Sequence, residues 1–169
     1  MKKVEINDVE LAYREEGSGQ PIVFLHAFPL NQTMWDEQVA EFSSTYRVVT
    51  LDWRGFGASG LGSENSSLNV FADDLSGLLE HLGIKRATIC GLSMGGYAAF
   101  AFYRKYADRV NALILCDTRA TADTEEGKQA RYEMAELAGN RGASAMVEPM
   151  TPRLLGETTL QTKPQIIER

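Results

Sequence analysis

Gly91-Leu92-Ser93-Met94-Gly95 sets a serine between two glycines, after the strand-like run Ala87-Thr88-Ile89-Cys90 and before the alanine- and aromatic-rich run from Tyr97 to Tyr106. That order predicts a strand, a sharp turn and a helix. A serine at the apex of such a turn is strained outward with its Oγ exposed. The helix N-terminus beneath it favours developing negative charge, which suits a nucleophile in acyl chemistry. An unactivated hydroxyl is a poor nucleophile at neutral pH, so Ser93 needs a base. The chain holds two histidines, His26 and His81, and both precede Ser93. Gly95 and Gly96 lack a Cβ and let the helix approach the strands closely, a property that plain helix-to-sheet packing would also use.

Two further motifs stand at the ends of apolar runs. His26-Ala27-Phe28-Pro29 follows Ile22-Val23-Phe24-Leu25, and Asp52-Trp53-Arg54-Gly55-Phe56-Gly57-Ala58-Ser59 follows Val48-Val49-Thr50-Leu51. Asp52 and Arg54 read as ordering the loop after the fourth strand through a local ion pair and backbone hydrogen bonds. Phe28, Trp53 and Met94 are candidates to wall an apolar pocket, and each equally fits a core. His81, near the end of an apolar-striped segment, reads as a helix-terminal surface residue favoured by the dipole.

In this order the three motifs resemble those of the α/β-hydrolase fold, in its esterase, enol-lactonase and haloperoxidase-like group. The resemblance runs from about Val4 to Arg169 and includes Cys116-Asp117-Thr118-Arg119. It implies that Ser93 is the nucleophile and that the backbone N–H groups of Met94 and Phe28 hold the oxyanion. It also implies that His26 shapes the oxyanion loop and is not the general base. Ala27 stands where the family usually has glycine. Asp117 ends the sixth strand, from which some members supply the triad acid, and a helix-capping or loop-structuring role competes with that assignment. In the family the histidine comes last, after the acid.

The resemblance therefore leads us to expect a chain that ends inside the helical cap, with acid and histidine beyond Arg169 and weak or no activity by itself. The substrate class it implies is a carboxylic ester or lactone, with no cofactor and no metal. Selectivity would come largely from the cap. The competing reading is a noncatalytic ligand-binding or assembly module on the same truncated fold.

The elements that must position these residues follow from patterning. Val4-Glu5-Ile6, a polar turn at Asn7-Asp8 and the alternating run Val9 to Arg14 predict a hairpin. Ile22 to Leu25, Val48 to Leu51, Ala87 to Cys90 and Ala112 to Cys116 are continuous apolar runs, as strands covered on both faces require. Between them, Thr33 to Asp36 reads as a capping box before Trp35, Val39 and Phe42. Leu68, Phe71, Leu75, Leu78, Leu79 and Leu82 form a helical stripe with caps at Ser66 or Ser67 and a stop at Gly83. Alternating strands and helices predict a mostly parallel sheet of about six strands, with an antiparallel N-terminal hairpin and helices on both faces.

After Asp117 the strand signal stops. Residues 1–120 are expected to form the core and 121–169 a partial cap. In the cap a helix starts at Asp123 to Glu126, with Ala130, Met134, Leu137 and Ala138 as its apolar face. Pro149 to Leu155 reads as a broken helix, and Lys163 to Arg169 as the start of another, with Pro164 near its first turn. The sixth strand, rich in Leu113, Ile114 and Leu115, becomes an exposed edge. That predicts a homodimer or complementation by a separate C-terminal fragment.

Composition narrows the partners. A net charge of -6 disfavours nucleic acid and anionic membranes, both of which select basic patches. The N-terminus Met1-Lys2-Lys3-Val4-Glu5 lacks the apolar core of a signal peptide and no run reaches membrane-span length, so a cytoplasmic protein is expected. Cys90 and Cys116 close apolar runs, where free thiols behave as small buried hydrophobes.

Overall fold

A computed structural model of the chain describes residues 1–63 and 66–163. The third strand, β3 (Gln20–Leu25), shows how the sheet is covered. Val23 and Leu25 join one apolar cluster, Ile22 and Phe24 join another, and all four are buried. A strand that is apolar at every position thus serves two faces at once.

Six strands form one sheet: β1 (Lys2–Ile6), β2 (Val9–Glu16), β3, β4 (Tyr46–Leu51), β5 (Ala87–Leu92) and β6 (Val110–Cys116). Their spatial order is β1-β2-β4-β3-β5-β6. The first two make an antiparallel hairpin, with Asn7 in the left-handed conformation at its turn, and β2 joins β4 antiparallel. All other pairings are parallel. The mostly parallel sheet with a hairpin edge is the arrangement that the sequence pattern implies. The register sets Leu25 opposite Gly91 and Gly91 opposite Leu115, so the ends of β3, β5 and β6 lie side by side.

Helices cover both faces. On one, α2 (Leu68–His81) and α3 (Met94–Lys105) bury Phe71, Leu75, Leu78, Leu79, Ala98 and Phe102 against Val23, Leu25, Val49, Leu51 and Ile89. Each large aliphatic side chain taken from water there contributes about 1.5–3 kcal/mol. On the other, Trp35 and Val39 of the α1 region pack on Ile22, Phe24 and Val48. The α2 boundaries follow its chemistry: the Ser67 hydroxyl accepts the Val70 N–H at the start, and Gly83 with φ 66 follows the end.

Local signals shift in three places. The first crossover begins as a 3₁₀ turn, Gln32–Trp35, and α1 proper is Asp36–Phe42. Its cap is not a Thr33–Asp36 box. Asn31 Oδ1 accepts the Thr33 N–H and hydroxyl at 2.9 and 2.8 Å, because a short Asx side chain closes such a turn on its own backbone. Leu68 and Phe42 are more than a third exposed.

The chain forms two compact units, Met1–Ala120 and Thr121–Arg169. Within the second, α4 (Glu125–Arg141) is capped by Thr124, whose hydroxyl accepts the Gly127 N–H. No α4 residue is buried: on its apolar face Ala130 is exposed, and Met134, Leu137 and Ala138 are half-buried. A 3₁₀ turn, Ala143–Met146, leads to α5 (Val147–Leu154), which contains Pro152 and starts before the expected Pro149, and then to α6 (Glu157–Thr162). The element expected over 163–169 lies outside the described residues apart from Lys163. Among the described residues, no helix is long and apolar enough to cross a membrane.

Candidate active site

Ser93 occupies the single residue between β5 and α3, with φ 50 and ψ -110. Few L residues adopt that conformation, because Cβ crowds the backbone. Three glycines make the corner possible, each for a different contact. A Cβ at Gly91 would strike the backbone of Gly95 and Gly96, and one at Gly95 would strike Leu25 O. At Gly96 it would stand 2.5 Å from Thr118 Cγ2. The start of α3 is therefore seated directly on the carbonyl end of β3.

That seating brings the loop after β3 beside the Ser93 corner. Ala27 O accepts the Leu30 N–H at 2.9 Å, which folds residues 27–30 into a tight turn containing the cis Phe28–Pro29 peptide. Ala27 is buried and does not have a positive φ, so the loop accommodates the Cβ that glycine would lack. Phe28 and Met94 are half-buried, as is Ser93. Phe28 stands edge-on to Phe56 at 6.1 Å. The first N–H groups of α3, from Met94 and Gly95, have no intrahelical acceptor by helix geometry.

His26 is fully buried, and both ring nitrogens are occupied. Nδ1 lies 3.0 Å from Ala27 O and Nε2 accepts the Trp53 N–H at 3.1 Å. A backbone N–H can only donate, so Nε2 carries no proton and Nδ1 does. Burial pulls the imidazole below its ordinary pKa, against smaller upward pulls from the Ala27 carbonyl and Asp52. The ring joins the loop after β3 to the loop after β4. His81 sits exposed in the last turn of α2, edge-on to Tyr13 at 6.2 Å.

Asp52 and Arg54 correct the expected local ion pair. Asp52 Oδ1 accepts the Gln32 N–H at 2.7 Å and Oδ2 the Ala58 N–H at 2.9 Å. Arg54 turns elsewhere: its Nε and Nη2 form a two-pronged pair with buried Asp74 of α2 at 2.7 and 2.8 Å, and Nη2 also reaches Asp8 at 2.9 Å. Asp74, then Asp8, hold the guanidinium further above its already high range, against burial. Trp53 is core rather than pocket wall, wholly buried and stacked on Phe71 at 4.7 Å.

Asp117 follows β6 with φ 40 and an exposed side chain. With Tyr97, Thr118 and Arg119 it lines a cavity of about 250 Å³. A larger cavity of about 530 Å³ opens by the hairpin turn and α2, and none of Phe28, Ser93, Met94 or Asp117 lines it. Among the described residues, no three His, Cys, Asp or Glu side chains cluster as a metal site would need. Cys90 is buried and Cys116 half-buried, both as free thiols.

Thr118 is the contact that patterning leaves out. Its hydroxyl donates to Ser93 O at 2.9 Å, while the Ser93 N–H donates to Cys116 O at 3.0 Å. The run Cys116 to Arg119 points to the place, but a single threonine in a loop carries no periodicity to mark it.

Known proteins share this fold. The chain is 30% identical to 3-oxoadipate enol-lactonase 2 of Acinetobacter baylyi across 96% of its own length and 60% of the relative's. Its structure resembles a thermophilic esterase from Thermogutta terrifontis (TM-score 0.94, 43% identity, 99% of this chain and 64% of that one). It also resembles the enol-lactonase from Burkholderia xenovorans (TM-score 0.89, 30% identity, 99% and 65%). The chain thus spans about 60–65% of the length of these relatives. Residues 20–139 match the family model for the alpha/beta hydrolase fold, which takes in β3 to β6, the Ser93 corner and most of α4. The chain belongs to the alpha/beta hydrolase fold family.

Proposed function

We propose that these residues form the nucleophile-bearing part of a serine hydrolase acting on carboxylic esters or lactones. Ser93 Oγ attacks the acyl carbonyl, and the N–H groups of Met94 and Phe28 hold the resulting oxyanion. The observation that carries this reading is the Ser93 corner, a left-handed serine on a helix N-terminus that Gly95 seats against the end of β3. Donors preset at an oxyanion contribute about 2.7–4 kcal/mol each to transition-state stabilisation. The esterase and enol-lactonase relatives support the substrate class.

Neither histidine suits the role of base. His26 has both nitrogens engaged, and His81 lies in the last turn of α2 against Tyr13. On this reading the base and its acid partner come from outside these 169 residues, and Asp117 is left a loop-structuring role. With the base absent, slow turnover of a short-chain aryl ester above the rate in buffer is the expected result, since serine enzymes lacking triad members retain catalysis over water from the oxyanion hole and binding. A rate no greater than that in buffer alone would overturn the reading. Saturable ligand binding without turnover would favour the noncatalytic module.

The same reading gives β6 an occupant. It is the last strand in the sheet order, with Ile114 and Leu115 42% and 44% exposed. Apolar edges of this kind pair with further strands. A complementing C-terminal segment fits the greater length of the relatives, and a second copy is the alternative. Analytical ultracentrifugation separates them: a dimer at micromolar concentration supports the second copy, and a monomer excludes it.

A further inference from the structure

The peptide group between Ser93 and Met94 is gripped by the chain that follows β6. Its oxygen, Ser93 O, accepts the Thr118 hydroxyl at 2.9 Å together with the N–H groups of Gly96 at 2.9 Å and Tyr97 at 3.2 Å. On the other side of the serine, its N–H donates to Cys116 O at 3.0 Å. Between these anchors Ser93 keeps φ 50 and ψ -110, a conformation that persists only where neighbours over-determine it.

A trans peptide is planar, and its C=O and N–H point in opposite directions. Rotation about ψ of Ser93 therefore swings Ser93 O and the Met94 N–H together. A bond that fixes the oxygen also fixes where the N–H aims. A donor at the carbonyl polarises the N–H of the same peptide as well, as hydrogen bonds in series do. Thr118 reaches the oxygen because residue 96 has no side chain: a Cβ there would stand 2.5 Å from both Thr118 Cγ2 and Oγ1.

We propose that Thr118 is a positioning residue which, through the Ser93 carbonyl, aims and polarises the Met94 N–H at the oxyanion. This rests on the reading of Ser93 as nucleophile and Met94 N–H as oxyanion donor. Thr118 touches no reacting atom. Its effect belongs to the transition state, where the oxyanion exists, and not to substrate binding.

The test compares wild type, Thr118→Val and Thr118→Ser with a short-chain aryl ester, against the rate in buffer alone. Valine keeps the shape beside Gly96 and loses the donor; serine keeps the donor. Thr118→Val is expected to lower kcat about tenfold with KM within about twofold, below the ~10²–10³-fold cost of deleting an oxyanion donor outright. Thr118→Ser is expected to restore kcat. A second readout needs no turnover: the Ser93 carbonyl ¹³C resonance should move in Thr118→Val and return in Thr118→Ser. An unmoved resonance, or an unchanged kcat in Thr118→Val while the wild type exceeds the buffer rate, overturns the role of Thr118 and spares the underlying reading. A wild-type rate no greater than that in buffer overturns the underlying reading and this role with it.

Discussion

Trp53 gives its backbone N–H to Nε2 of His26 across 3.1 Å, inside a wholly buried contact between the loops after β4 and β3. The bond exists only while that nitrogen is bare. Protonation would face two N–H groups at each other and add an unpaired charge to the core, at a cost of several kcal/mol. His26 thus serves the candidate site by staying neutral, which is the reverse of what a catalytic base must do.

Stability should accordingly depend on pH in one direction. Burial sets the folded pKa of His26 below the ordinary 6.5, so its contribution is complete above that pH. It is lost as pH falls through 6.5 toward the folded value, by at most about 1.4 kcal/mol per pH unit. Urea denaturation between pH 8 and 5 checks this. His26→Gln keeps a donor and an acceptor without titrating, so the variant should show a flatter profile than wild type over that window.

Arg54 and Asp74 give a second prediction. Both side chains are wholly inaccessible, and the pair ties the loop after β4 to α2, with Asn7 Nδ2 adding a bond to Asp74 Oδ1 at 2.9 Å. Removing Arg54 strands Asp74 as a buried charge, whereas removing Asp74 leaves the buried guanidinium with Asp8. Arg54→Met should cost about 3–5 kcal/mol in urea denaturation, and Asp74→Asn less. Arg54→Lys should also be costly, since an ammonium cannot reproduce the two-pronged fork.

This pair also shows where sequence and fold part company. Ile22 to Leu25 reads as a strand because burial on both faces requires an unbroken apolar run, and Gly91 to Gly95 reads as a corner because few other residues can turn so sharply. The strands and helices flanking Ser93 are legible on those grounds, whereas their order in the sheet is set by packing. Arg54 looks local because Asp52 is two residues away, whereas its true partner lies 20 residues on and only the packing of α2 brings it near. The Thr118 bond is hidden for the same reason. In α4, Ala130, Met134, Leu137 and Ala138 define an apolar side, but periodicity says nothing of how deeply that side is covered, and Ala130 is exposed.

The two thiols should differ in reactivity. Burial first, and then neighbouring Cys116, push the Cys90 thiol up to about 12, which leaves a thiolate fraction on the order of 10⁻⁴ at pH 8. Cys116 is half-buried. Iodoacetamide on the native protein, read by mass spectrometry, should label Cys116 first and Cys90 only after denaturation.

Two helical glycines should respond to alanine with opposite signs. Alanine is intrinsically favoured over glycine inside a helix by about 0.5–1 kcal/mol, because glycine loses more backbone freedom on folding. At Gly139 in α4 an added Cβ meets nothing within 4 Å, so Gly139→Ala should realise that gain and raise the thermal midpoint followed by far-UV circular dichroism. At Gly77 in α2 the same Cβ would stand 2.5 Å from Cγ2 of buried Ile6. A β-branched side chain has little rotameric freedom with which to yield, and forced overpacking costs about 1–3 kcal/mol. The clash exceeds the propensity gain, so Gly77→Ala should be destabilising. Pairing it with Ile6→Val, which shortens Ile6 without freeing the clashing Cγ2, should give little relief. Ile6→Ala removes that atom, so in its presence the Gly77→Ala penalty should largely disappear.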